Sequence, residues 1–236
     1  MFKACGVICL GTLLAACGAP PVRQPPVTSP SATPPEPAAG AAAYRIDAAR
    51  SELRILVYRA GPMAQFGHNH VIVNRAVEGW VEAVESAAAA SFSLRVPVAE
   101  FLVDDPQARA DEGPDFSEPV PEEARSGTRH NLLSAALLDA AHYPTITLTS
   151  SAVTPAPGTA APRELVAKAT VELAGHKSTL LVPFTLQTSP GEVAASGTVV
   201  LRQSEMGLIP FSVMLGALQV KDEFTVKFKL VALRTQ

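Results

Sequence analysis

His68-Asn69-His70 is where residue type and spacing come closest to doing chemistry. In an extended strand, positions i and i+2 share a face, so both imidazoles would reach one metal ion. Zinc wants a third or fourth ligand. His130, His142 and His176 are the remaining histidines, and nothing in the sequence relates their positions to the pair. A hydrogen-bonded polar pair at a turn is therefore the favoured reading, and a metal site built on His68 and His70 is the rival. A third reading is a head-group contact, because a phosphate attracts a protonated imidazole or Arg129. Ser134, Ser204 and Asp139 supply parts of a nucleophilic triad on paper. Yet no serine sits in a Gly-x-Ser-x-Gly setting, and neither a P-loop nor His-Glu-x-x-His occurs. No catalytic residue and no cofactor is assigned.

Cys17 carries a different chemistry. Lys3 precedes an apolar run from Ala4 to Ala16; a charged start, a short apolar core and small residues before the cut mark an export signal. The run is too short to span a bilayer comfortably as a permanent helix. Leu14-Ala15-Ala16-Cys17 resembles a bacterial lipobox, in which Cys17 is acylated and becomes the first mature residue. Gly18, with no aspartate there, resembles the pattern of lipoproteins sent on to an outer membrane, which would leave the domain facing the periplasm. Cleavage removes Cys5 and Cys9 and leaves no disulfide partner for Cys17. Residues 18–42 are rich in proline, alanine, serine and threonine and read as an extended tether. The division is a signal at 1–16, a lipidated cysteine and tether at 17–43, and a folded domain at 44–236. A formal net charge of -3, with 19 basic residues in no block, gives no argument for a nucleic-acid surface.

The elements that position these residues are mostly strands. Glu223–Val231 alternates Phe224, Val226, Phe228 and Leu230 with Thr225, Lys227 and Lys229, giving one dry face and one wet face. Tyr44–Asp47, Glu52–Ala60, Gly79–Val84, Ala90–Val98, Thr145–Ser150, Glu164–Leu173, Ser178–Leu186 and Val193–Arg202 read as further strands. Leu56 and Tyr58 make the second face of Glu52–Ala60 partly apolar. Pro97 points to an edge or bulged position. Residues 104–125, acidic and proline-containing, read as an exposed excursion from the sheet. Leu133, Ala136, Leu137 and Ala140 recur at helical spacing and predict a helix over Arg129–Ala141, ending before Tyr143-Pro144. Many strands, separated by turns and one helix, favour an antiparallel barrel over alternating α/β units.

Leu53, Ile55, Val57, Phe92, Leu94, Val171, Leu173, Phe224, Val226 and Phe228 are the inner-face candidates for ligand contact. An apolar face serves a lined pocket and a filled core equally well. Between the last two strands, Met206–Leu218 is an uncharged stretch unusual for a solvated surface. Phe211 and Met214, with Ile209, Val213 and Leu215, form either a flexible apolar mouth or a plug packed under the helix. No docking surface for a protein partner is marked, and a homodimer is left open.

Several blocks in order resemble the YceI-like family of bacterial periplasmic polyisoprenoid-binding proteins. They are Tyr44-Arg45-Ile46-Asp47 with Ser51, Phe66-Gly67-His68, Arg129–Asn131 leading into Leu137-Leu138-Asp139 and Tyr143-Pro144-Thr145-Ile146, Gly175-His176-Lys177, and Phe211–Lys229. Together they span residues 44–233. The resemblance implies an all-β, eight-stranded antiparallel up-and-down barrel, lipocalin-like, with one main flanking helix. It also implies a polyisoprenoid or other lipid held in the interior and no catalytic activity. The lipobox with its tether, the His68-Asn69-His70 pair and the long acidic excursion depart from the common pattern.

Overall fold

The computed structural model describes residues 43–82, 90–158 and 163–235; the export signal, Cys17 and the tether lie outside the described residues. In chain order the elements are β1 Ala43–Ile46, β2 Glu52–Ala60, β3 His70–Asn74, β4 Glu78–Glu82, β5 Ser91–Pro97 and β6 Leu102–Val103. Helices α1 Pro106–Ala110 and α2 Glu122–Leu133 follow. Then come β7 Thr145–Pro155, β8 Glu164–Leu173, β9 His176–Ser189, β10 Glu192–Arg202, β11 Ser212–Val213 and β12 Leu218–Arg234.

Eight of these strands close a ring of antiparallel ladders in the order β1-β4-β5-β7-β8-β9-β10-β12, with β1 returning to β12. This is the antiparallel barrel that the strand periodicities predict. The longest strand, β12, runs the length of its wall. One edge of β12 pairs with β10. Its other edge carries two strands in succession, β2 beside Gln219–Lys229 and β1 beside Ala232–Arg234.

β1 and β2 are thus halves of one interrupted stave. The same holds for β3 with β4 and β5 with β6, since β2 pairs with β3, β1 with β4, β3 with β6 and β4 with β5. Buried polar side chains hold the interruptions together. Ser51 Oγ accepts from the Val231 amide at 3.0 Å and donates to the Asp47 carbonyl at 2.8 Å. Asn74, fully buried, donates to the Pro97 carbonyl at 2.9 Å and accepts from the Ala76 amide at 2.9 Å. A buried amide in a β-barrel survives only when its bonds are made, and here they tie one break to the next.

Past the breaks the barrel is looser. β6 pairs with β3 alone, leaving a seam toward β7. A second seam opens between β9 and β10, which pair only through Thr185–Ser189 and Glu192–Ser196. It begins beside Pro183, which has no amide hydrogen for the ladder, and Gly197, where any Cβ would lie 2.5 Å from the Pro183 carbonyl.

Two expectations are corrected. The helix runs over Glu122–Leu133, not Arg129–Ala141. It starts at the acidic pair Glu122-Glu123, which suits the positive N-terminal end of a helix. It stops at Ser134, whose backbone turns extended and whose hydroxyl donates to the Asn131 carbonyl at 2.8 Å. The apolar spacing over 132–140 nevertheless marks burial: Leu132 and Leu138 join the main core, with Leu133, Leu137 and Ala140 packed against it. Helix and turns together lie along the seam beside β6.

The second correction concerns residues 104–125, which are largely exposed as expected but are anchored to the barrel wall. Ala108 and Phe116 cover Leu56, Val71 and Val73 on the outer face of β2 and β3, with Tyr58 at the margin. That explains why β2 is apolar on both faces. Arg54 adds ion pairs to Asp111 at 2.9 Å and Glu112 at 3.1 Å, and Lys227 also reaches Glu112. The wet face of β12 is in part the face this segment covers.

Candidate functional site

The inward parity of the staves lines two cavities that share part of their wall inside the barrel. The first, about 460 Å³, lies at the end where the staves are interrupted; the second, about 400 Å³, lies within the closed ring. β12 shows the succession most simply. Leu218, Val220, Phe224 and Val226 face the first cavity, and Val226, Phe228, Leu230 and Ala232 the second. Six residues from six strands border both: Leu53, Val96, Leu148, Leu180, Leu201 and Val226. They form a waist through which the cavities share their walls.

The candidate ligand contacts distribute along this axis. Leu53, Ile55, Val57, Val171, Leu173, Phe224 and Val226 line the first cavity. Phe92, Leu94 and Phe228 line the second, together with Leu53 and Val226. Phe211 stands at the outer rim of the first cavity, partly exposed. Met214 is exposed and lies outside both linings. The stretch Met206–Leu218 is therefore divided, because Met206 and Leu208 pack into the core while Ile209 and Val213–Leu215 stay in solvent.

The two cavities differ in chemistry. The second is bordered almost wholly by aliphatic and aromatic side chains, with Ser91 and Thr188 as its polar members. The first adds Arg59, His68, His70, Thr128, Asn131, Gln203 and Gln219. Sequence reasoning missed the contribution of α2, whose Ala124, Gly127, Thr128 and Asn131 face this cavity at helical spacing. Their small size and mixed polarity hid them from an apolar-stripe reading.

His68 and His70 both border the first cavity, their ring centroids 6.2 Å apart and edge to face. Asn69 points the other way, accepting from the Arg59 amide at 2.9 Å and donating to the Asp115 carbonyl at 3.0 Å. The parity argument for the pair is thus met.

Their bonding differs. His70 Nδ1 donates to Asp104 Oδ2 at 2.6 Å, and its Nε2 lies 3.2 Å from the Thr128 hydroxyl on α2. Asp104 is fully buried and also accepts from the Val71 amide at 2.9 Å and from Arg109 at 2.6 Å. Burial alone would raise its carboxyl pKa. The bond and charge of His70, with the Val71 amide and Arg109, outweigh burial and hold the pKa below the ordinary carboxylate range. His70 thus links β3, the Asp104 segment and α2.

His68 Nδ1, in contrast, is buried in the cavity wall with no hydrogen-bond partner among the described residues. The other histidines do not join the pair: His142 bonds Asp139 at 2.9 Å, and His176 packs against Gly207. Among the described residues, no three histidine, cysteine or carboxylate side chains are grouped to hold a metal ion.

Comparison with known proteins places this architecture. The sequence profile of the YceI-like domain matches residues 44–232. A crystal structure of Burkholderia cenocepacia BcnA is similar at 19% identity, covering 79% of this chain and 98% of that one, with a TM-score of 0.57. A polyisoprenoid binding domain from Saccharophagus degradans, implicated in plant cell wall breakdown, shares 13% identity over 82% of this chain and 99% of that one, with a TM-score of 0.53. A Campylobacter jejuni YCEI protein follows at 10% identity, 70% and 85% coverage and a TM-score of 0.51. No curated protein matches the chain.

Proposed function

Since the chain belongs to the YceI-like family, we propose that it binds one long apolar molecule, a polyisoprenoid or related lipid, along the barrel axis and without catalysis. The observation that carries this reading is the pair of apolar cavities sharing a waist, which offers a chain one continuous dry path. Sequestration then follows from burial, at about 25 cal/mol per Å² of apolar surface removed from water. The Saccharophagus degradans polyisoprenoid binding domain, which shares the fold, is consistent with this ligand class.

The ligand's polar end belongs in the first cavity. His68 Nδ1 lacks a partner there, and an unsatisfied buried polar atom costs roughly 1–3 kcal/mol. A hydroxyl or phosphate oxygen placed against it removes that penalty, with Arg59 on the same wall. The apolar tail lies past the waist in the second cavity. The protein carrying this barrel is an envelope lipoprotein, acylated at Cys17 and held to an outer membrane with the barrel in the periplasm.

Native mass spectrometry on protein exported through its own signal and purified without detergent tests the ligand. A retained mass that dissociates as a lipid supports the reading, and its fragmentation names the chain. A bare protein mass that also takes up no added polyprenyl phosphate or polyprenol would sink it. Retention of a stoichiometric metal, lost in a His68→Ala, His70→Ala variant, would instead favour the metal reading. Acylation is tested separately: a Cys17→Ser protein should leave the membrane fraction after cleavage of its signal is restored by a secretory leader.

A further inference from the structure

At the end of the barrel that holds the first cavity, two of the loops carry no charged residue. One is 60–67 and the other 206–220, and neither contains aspartate, glutamate, lysine, arginine or histidine. They are joined: the Met63 amide donates to the Ala217 carbonyl at 2.8 Å, and Gly61, with φ at +90°, approaches the same carbonyl too closely for any Cβ. Between them the cavity wall continues outward through Gly67, Phe211 and Leu218.

The longer loop is a hairpin. β11 folds back on β12 through Ser212↔Gln219 and Val213↔Leu218, and its tip is Met214-Leu215-Gly216-Ala217. Such tips normally carry glycine, asparagine or aspartate, which accept positive φ and water. Here Met214 and Leu215 hold φ of 52° and 56°, a conformation L residues adopt at a cost. Leu215 is wholly exposed, Ile209 is 79% exposed and Phe66 66%. Nothing in the folding of the domain accounts for apolar side chains held outward on an unfavourable backbone.

We propose that these two uncharged loops insert into the surface of a lipid bilayer, so that the mouth of the first cavity opens onto the acyl chains. The inference rests on the lipid reading for its purpose, but not for its geometry. A bilayer suits a projecting tip better than a protein does. Protein partners bury about 800 Å² on each side with polar groups to set register, whereas a hairpin tip and one phenylalanine offer neither that area nor a charge. An interfacial bilayer contact needs only apolar area.

The chain outside the structure permits the orientation. Ala43 and Arg234 lie at the opposite end of β12 from the tip. Spanning the barrel along β12's 17 residues takes about 55 Å. The stretch from Cys17 to Ala43 reaches up to ~85 Å when extended. An acylated Cys17 therefore allows the far end to turn back onto the same membrane.

The test uses residues 43–236, which contain every described strand and both cavities; a Burkholderia chain of the same fold, covered over 98% of its length, is a separate protein of this size. This segment contains no cysteine, which makes single labels possible. Leu215→Cys and, at the opposite end, Leu233→Cys are each labelled with an environment-sensitive fluorophore and mixed with phosphatidylcholine vesicles carrying brominated acyl chains. The Leu215 label should shift to the blue and be quenched, and the Leu233 label should do neither. Ile209→Asp with Leu215→Asp should lower the bound fraction in vesicle flotation by about tenfold or more at an unchanged melting temperature. Equal responses at the two labels, or flotation unaffected by the aspartates, overturns the proposal. So does a dimer in sedimentation velocity that the aspartates dissociate while vesicles are not bound, because the hairpin then covers a second copy. The vesicles contain no isoprenoid, so an empty barrel in mass spectrometry defeats the ligand reading and leaves this result standing.

Discussion

The two ends of the barrel solve different problems with one set of staves. At the end holding the second cavity, eight strands pair all the way round, and the wall is nearly free of polar side chains. At the other end three staves are interrupted, the ladder parts at two seams, and α2 with the turns after it covers the first. The interrupted end also holds the buried Asp104–Arg109–His70 network and every charged residue that lines a cavity. The difference teaches a division of labour. A closed ladder satisfies its own backbone and needs only apolar filling. An open one must be held by side chains, and those same side chains give a ligand something polar to meet.

The largest test of this contrast is Asp104→Asn. It leaves Arg109 buried without its carboxylate and should lower unfolding free energy by about 3–5 kcal/mol, measured by urea denaturation. The pH dependence follows in sign. A carboxyl whose folded pKa is depressed contributes its full stability above the unfolded value, near ~3.9. That contribution is lost as pH falls through the lower folded value. The wild-type protein should therefore lose stability in that acid window, and Asp104→Asn should lose less. Equal acid slopes would show that the network is not what holds the open end.

Val226→Trp addresses the waist. Val226 borders both cavities, so an indole there should separate them. A long polyprenyl ligand should bind about 100-fold more weakly, because the tail's share of buried area is lost. A short alcohol that fits the first cavity should bind unchanged. Isothermal titration with the two ligands distinguishes a through-axis site from two independent ones.

Gly79→Ala probes the closed end. Gly79 has φ of +140°, and a Cβ would lie 2.1 Å from the Ser93 carbonyl across the β4–β5 ladder. Thermal denaturation should report a loss of about 1–3 kcal/mol. Cavity access should be unchanged, since the strain falls in a ladder and not at a mouth.

The smallest effect is expected from Glu192→Gln, which removes the Arg50–Glu192 pair near the closed end, 2.6 Å and 3.0 Å apart. The pair is solvent-exposed, and water already satisfies both ions. Its denaturation midpoint should stay within error of wild type. A large change would mean that the closed end, too, leans on charged side chains.

Period-two alternation located most strands and the parity that faces inward. Leu53, Ile55 and Val57, and Phe224, Val226 and Phe228, line the interior as their spacing predicts. Leu56 and Tyr58 looked anomalous because alternation describes one strand and its two faces, not what arrives later in the chain to cover the outer one. The helix was displaced for a related reason. Leu132, Leu133, Leu137 and Leu138 report burial, and burial at three- or four-residue spacing is met equally by a turn pressed against a barrel seam. The start at Glu122-Glu123 was legible as an acidic first turn, but only to a reading that valued charge over apolar spacing.

The site was legible to a lesser degree. His68 and His70 were correctly placed on one face, yet their bonding differs because Asp104 reaches His70 from 34 positions away. No local pattern encodes that meeting. The sequence by itself determined most of the strands, their inward faces and the uncharged loop before the last strand, since each depends on neighbours along the chain. Only the tertiary structure decided that the interior is hollow in two parts with a shared wall, and that the acidic segment seals an outer face. It alone also separates Met214, held in solvent, from Phe211 at the rim. Those outcomes depend on distances between residues far apart in sequence, which are set when the ladder closes.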